Sequence, residues 1–387
     1  MNKLYNTQED FASGFANILK EIFPSVRKTQ LNIIPYVIFG MICAESTVIN
    51  DIANKLAGKF KLIQFDSIIR RIRRFFNNRL FNGYSFYDAV IRHVIKNYKK
   101  KHDDNRVHVI VDHMFSRDNY TTLMMSVRIG KQGIPIWFRC FKGKKVSEAF
   151  EEELIIEGIN YIIELFKDTD LQLIFLADRW FNSTNLMETI EKEGHIYCFR
   201  LKKNIKCFIY DEKEGHEIWK WLDELKNYEY HSVQYENVLL TEKKFKCKIV
   251  CSKRQSTEDA WIIATNGDYK HTIKDYSYRF GGIETIFKNQ KSNGFNIERT
   301  VNASEKAYQT MYSMVCTAIL FLTIFGADYC KNKRCYKNSK IETHKNYKNK
   351  GKVRVKSLFN TGLTLFNRAI NSLVYRRIPM KFILYDV

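Results

Sequence analysis

A chain of 387 residues has enough material for two or three domains, each with its own core. Its formal net charge of +21 is unevenly spread: residues 1–106 carry +9, residues 107–326 are neutral and residues 327–387 carry +12. That distribution excludes a uniform lysine bias as the full account and suits a protein whose two flanks hold a polyanion while its centre does other work. The nine cysteines are odd in number, scattered and without a C-x-x-C pair, so free thiols in a reducing, cytoplasmic setting are expected and a zinc site is not.

The first residues, MNKLYNTQEDF, lack the apolar run of a signal peptide. Residues 8–100 then show apolar positions at three- and four-residue spacing, which predicts helices throughout, punctuated by Pro24 and Pro35. Asp66–Ser67 is the expected cap of a helix in which Arg70, Arg71, Arg73 and Arg74 crowd one segment. Such a cluster is either a DNA-binding element or a solvated face. The charged stretch 96–106 reads as a linker, so residues 1–106 are expected to form a helical DNA-binding domain. The apolar runs Leu31–Cys43 and Met314–Gly326 fall short of the ~20 residues a bilayer span needs, and buried core helices are expected in their place, with no membrane partner.

From Val107 the pattern changes. VHVIVDHMF, TTLMMSVRIG and GIPIWFRCFKG read as three antiparallel strands separated by turn residues. A helix over 147–166 follows, then LQLIFLAD, a continuous apolar run typical of a strand buried on both faces. The helix NSTNLMETIEKEG and the strand HIYCFRLKKN complete the order β-β-β-α-β-α-β, which predicts an α/β fold with a ribonuclease-H-like mixed sheet covered by helices. Short alternating strands at about 205–268 read as an inserted β-rich subdomain. A catalytic core over 107–330 and a basic C-terminal region over 331–387, for DNA binding or dimerisation, finish the expected organisation.

The chemistry is expected at three carboxylates. Asp112 ends VHVIVD and Asp178 ends LQLIFLAD, and rigid strand ends are where sheet enzymes place functional groups. In the predicted topology their strands are neighbours. Glu284, Lys288 and Lys291, at offsets of four and three, share one helix face. Taken alone, that pattern is most often a surface salt-bridge ladder. With the two aspartates it offers a third acid, and three hard oxygen donors suit two Mg²⁺ or Mn²⁺ ions. Asp118 and Glu298 are the fallback acids. His113 neighbours Asp112, but strand alternation turns it to the opposite face.

These residues resemble a DDE transposase of bacterial insertion sequences, in the insertion sequence family four type whose third-carboxylate helix carries a Tyr-Arg-Glu-Lys signature. The likeness rests on the strand ending in Asp112, on FLADRWF followed by HIYCFRLKKN, and on IETIFKNQKS, and it covers roughly 107–330. Glu284 and Lys291 keep the signature spacing, while Arg279 stands five residues before Glu284 where the pattern has four, with Gly281–Gly282 between and Tyr278 competing with Tyr276. Trp180 is a further departure. The resemblance implies that Asp112, Asp178 and Glu284 bind the metals. It also implies that Tyr276, Arg279, Lys288 and Lys291 contact DNA phosphates, with Arg200 and Lys202 at the transposon end. It implies cut-and-paste transposition on double-stranded DNA, at inverted terminal repeats and target, by a homodimer. Trp261 would either stack on a flipped base or pack in the core. Two other readings stay open: a non-cutting DNA-binding protein that keeps the fold, separated by metal-dependent nicking, and a nuclease without joining activity, separated by strand transfer.

Overall fold

The computed structural model describes residues 8–378 and 382, apart from 60–63, 99–104, 117–119, 130–131, 144–146, 212–213, 226–231, 254–259, 293, 301–303, 332–342, 347–350, 355–356 and 373–377. Six helices come first: α1 (Gln8–Ile22), α2 (Lys28–Leu31), α3 (Ile34–Ala44), α4 (Ile49–Lys59), α5 (Phe65–Phe76) and α6 (Gly83–Lys96). Pro24 falls between helices and Pro35 sits in the first turn of α3, where its missing N–H costs nothing. The expected cap at Asp66–Ser67 is corrected: α5 begins two residues earlier, so Asp66 lies in its first turn, where a carboxylate favours the positive helix end. Ile68, Ile69, Ile72, Phe75 and Phe76 form the buried face of α5, and its arginines are exposed.

The middle of the chain is built on one ten-stranded sheet. In chain order its elements are β1 (Arg106–Phe115), β2 (Tyr120–Ile129), β3 (Gln132–Lys142), α7 (Glu148–Phe166), β4 (Gln172–Ala177), α8 (Thr184–Lys192) and β5 (Ile196–Arg200). The strands β6 (Lys206–Asp211), β7 (His216–Trp221), β8 (Ser232–Leu240), β9 (Phe245–Ser252) and β10 (Trp261–Thr265) follow. The sheet order is β3-β2-β1-β4-β5-β10-β9-β8-β6-β7. β1, β4 and β5 run parallel through the centre and the remaining pairs are antiparallel. The fold is therefore the mixed α/β sheet expected of a ribonuclease-H-like enzyme. The strands of the β-rich insertion do not form a sheet of their own; β10 pairs with β5 and the rest extend the core sheet to one side.

Helices α9 (Tyr269–Ser277) and α10 (Ile283–Lys291) cross one face of the sheet, and α7 lies on the other. Helix α11 (Glu305–Lys331) is long and apolar enough to cross a membrane, yet its apolar window is wholly buried in the protein. It is instead the shared core helix, packing against α3, α5, α6, β3 and the last helix, α12 (Leu358–Asn371). In the basic tail, Thr343–Asn346 and Gly351–Arg354 pair as a two-stranded hairpin, β11 and β12, where no regular structure was expected.

Candidate active site

Parallel pairing of β1 with β4 puts Ile110 opposite Leu176, and two residues further along lie Asp112 and Asp178. Strand alternation then directs His108, Ile110 and Asp112 to one face, and each meets the α9–α10 segment. His108 Nε2 lies 2.9 Å from Asp275 Oδ1 and Arg106 Nη2 lies 2.5 Å from Asp275 Oδ2. Ile110 packs beneath Gly282. At Asp112 the segment delivers Arg279, whose Nη2 donates to Asp112 Oδ2 at 2.8 Å and to Asp178 Oδ2 at 3.2 Å. Asp275, His108 and Arg106 thus fasten α9 to the sheet and fix where Arg279 reaches. Sequence reasoning did not single out these three, because nothing in their spacing ties residue 275 to residues 106 and 108.

Each aspartate is also oriented by its own backbone. Asp112 Oδ1 accepts from the His113 N–H at 2.9 Å and Asp178 Oδ1 from the Trp180 N–H at 2.8 Å. Burial pushes the Asp112 carboxyl above the usual carboxylate range, and the Arg279 charge works against that rise. Arg279 is 8% exposed, and its buried Nε has no hydrogen-bond partner. Tyr276 is fully buried, with its hydroxyl unbonded and pushed by burial up to about 12. Its ring packs against Trp261, which stacks on Phe280 at 5.5 Å, so Trp261 serves as packing for this turn. Tyr278 lies elsewhere: its ring carries Arg128 at 4.4 Å and meets His108 at 4.5 Å.

The remaining predicted residues are spread around this pair. Glu284 stands exposed in the first turn of α10. Among the described residues no group of three or more His, Cys, Asp or Glu side chains is close enough to hold a metal, so Glu284 is not gathered with the two aspartates. Lys288 is exposed, and Lys291 pairs with Glu298 at 2.9 Å. Arg200 ends β5, one strand over from Asp178, and its charge, with that of Arg279, partly offsets the burial-driven rise of the Tyr276 hydroxyl. Lys202 lies 5.8 Å from the ring of exposed Trp180. His113 faces away, 2.5 Å from Glu151 of α7 and stacked on Phe181. Asp118 lies outside the described residues.

A mixed sheet with two acidic strand ends side by side, held by one guanidinium, defines an α/β enzyme of the ribonuclease-H-like kind. The family model "Transposase DDE domain" matches residues 116–321, more than half of the sequence, and begins four residues after Asp112. The chain belongs to that family and is a DDE transposase. No curated protein matches it. Among solved structures, Marinitoga piezophila Argonaute in complex with 5′ OH guide RNA and target DNA is similar at 13% identity, over 57% of this chain and 30% of that one. Its TM-score of 0.22 is too low to support any argument from the likeness.

Proposed function

We propose that this chain is a cut-and-paste transposase that binds inverted terminal repeats, cleaves the DNA there and joins the freed 3′ ends to target DNA. The observation that carries the reading is the convergence of Asp112 and Asp178, from adjacent parallel strands, on a single cation. Their oxygens are hard donors already spaced to share a positive charge, which fits Mg²⁺ or Mn²⁺. Two such ions would activate a water or a 3′-hydroxyl and stabilise the leaving oxygen of a phosphodiester. Asp112 and Asp178 would hold them, with Glu284 as the third acid.

In this reading Arg279 has two stations. Without DNA its guanidinium neutralises the aspartate pair; with a scissile phosphate in place it moves from carboxylate to phosphate, for which its planar fork is equally suited. Lys288, Lys291, Arg200 and Lys202 hold neighbouring phosphates, and Tyr276 supports the Arg279 turn from below. Tyr276, Arg279, Glu284 and Lys291 support membership of the Tyr-Arg-Glu-Lys group of insertion-sequence transposases, with one extra residue before the glutamate. Residues 1–106 serve as the helical DNA-binding domain and the basic region 331–387 as a second DNA or dimer contact, so that two copies act across paired ends.

The test is cleavage of a duplex carrying a transposon end in Mg²⁺. Asp112→Asn, Asp178→Asn and Glu284→Gln should each abolish cutting while end binding persists. Undiminished cutting in any of the three removes that residue from the site. Strand transfer from a pre-cleaved 3′ end should produce joined product, and its absence would leave a nuclease.

A further inference from the structure

Sheet geometry leaves a second feature on the same face as the carboxylates. Pairing of β6 with β7 sets Lys206 opposite Trp221, Phe208 opposite Trp219 and Tyr210 opposite Glu217. Directly paired residues share a face, so four aromatic rings and a lysine stand together on the outermost hairpin. Phe208 is also paired with Leu239 of β8, and Leu239 with Lys246 of β9. From β9 the same parity runs through Val250, opposite Ile263, and Ile263, opposite Arg200, to the side that carries Asp178. Five strand spacings of about 4.8 Å separate β4 from β6, roughly 24 Å.

These rings are not core. Tyr210 is 61% exposed, Trp219 54% and Trp221 43%. Trp219 and Trp221 hold each other edge to face at 5.7 Å. Ammonium groups sit among them: Lys206 lies 5.3 Å from the Trp219 ring and 5.7 Å from Phe208, and Lys244 lies 5.3 Å from Phe208. Glu217 pairs with Lys244 at 3.0 Å and Glu242 with Lys206 at 3.8 Å, while Lys246 adds a further exposed cation. Exposed aromatics are costly to leave in water unless a partner uses them. Rings interleaved with ammonium groups match a strand of unpaired bases, whose flat faces stack and whose phosphates need cations. A second copy of the chain would find lysines at the centre of its contact.

We propose that the β6–β7 hairpin is a stacking platform for a single-stranded stretch of DNA, with Trp219 and Trp221 as the ring surfaces and Lys206 and Lys244 as the phosphate contacts. The proposal rests on the DNA-acting reading above and adds a single-strand site remote from the cleavage site.

The experiment uses the full chain with a fluorescein-labelled thymidine oligonucleotide and, separately, a labelled duplex, both followed by anisotropy. Trp219→Ala with Trp221→Ala should lower the ratio of single-strand to duplex affinity by about tenfold or more, as expected for losing base–aromatic stacking. Trp219→Phe with Trp221→Phe should restore most of it. Lys206→Gln with Lys244→Gln should reduce the salt slope for the oligonucleotide by about 1.4, roughly 0.7 per phosphate contact. An unchanged ratio in the alanine pair overturns the platform while leaving the transposase reading intact. Failure of the unaltered chain to bind either DNA removes that reading and the platform with it. Loss of self-association in the alanine pair, with the ratio unchanged, makes the hairpin an interface between copies and overturns the proposal.

Discussion

Arg279 puts one positive charge where two partly buried carboxylates would otherwise repel each other. Its removal leaves Asp112 buried beside Asp178 without compensation. Arg279→Ala should therefore cost about 1–3 kcal/mol of stability at neutral pH, less than a fully buried pair because Asp178 keeps contact with water. The pH dependence follows from the direction of the Asp112 shift. A carboxyl whose folded value lies above its unfolded value gives stability that is present in acid and lost as the pH rises through the folded value. Without Arg279 that value rises further, so the variant's deficit against the unaltered protein should be largest near neutrality and shrink as the carboxylates protonate. Urea denaturation at pH 7 and in the carboxylate range checks this, and a deficit independent of pH would mean that Arg279 acts by packing alone. The two aspartates were legible in the sequence because a strand end is a local feature. The bridge between them was not: an arginine five residues before a glutamate reads the same whether it faces a phosphate or a carboxylate.

At the level of elements, the α9–α10 turn and the α11–α12 crossing depend on what glycine omits. Gly281 has φ +82°, in the left-handed region, with open space where a side chain would stand. Gly281→Ala should thus cost only about 1 kcal/mol in backbone strain. Its effect on cleavage should exceed its effect on stability, because the turn sets both Arg279 and Glu284. Gly326 of α11 and Gly362 of α12 are different in kind. A Cβ at Gly326 would fall 1.9 Å from the Leu358 carbonyl oxygen, and one at Gly362 would fall 1.9 Å from that of Leu322. Backbone cannot yield as a side chain can, so Gly362→Ala should separate the helices and cost about 3 kcal/mol, at the upper end for overpacking. Thermal unfolding of the two variants should rank them in that order. The strands and most of the helices of the core were readable from periodicity, since burial on one or both faces leaves a period of two or an unbroken apolar run. The continuity of the insertion with the core sheet was not, because edge-to-edge pairing is made by backbone groups common to every strand.

Across the whole molecule, the cysteines and the charge report on different layers. Cys140, Cys198, Cys207, Cys247, Cys251 and Cys316 are all buried and free. Burial pushes Cys140, Cys198 and Cys251 up to about 12 and Cys207 up to about 11, so little thiolate exists at neutral pH. These six should react with a thiol reagent only on denaturation, and fast labelling of any of them in the native protein would contradict the packing. The outer layer is cationic, and on α5 the exposed Arg70, Arg71, Arg73 and Arg74 have no ion-pair partner among the described residues. Four unpaired guanidinium groups on one short helix repel each other unless a polyanion lies against them. If α5 meets a DNA backbone, each contact releases a condensed counterion, and the slope of log affinity against log salt steepens by about 0.9 per phosphate. Changing all four arginines to glutamine should then flatten that slope for duplex binding by about 2 to 4. Affinity should weaken most at low salt, with little change in stability, because none of the four side chains belongs to the buried face. An unchanged slope would mean that the positive charge of residues 1–106 is merely solvated, and DNA recognition would have to rest on the catalytic sheet and the basic tail.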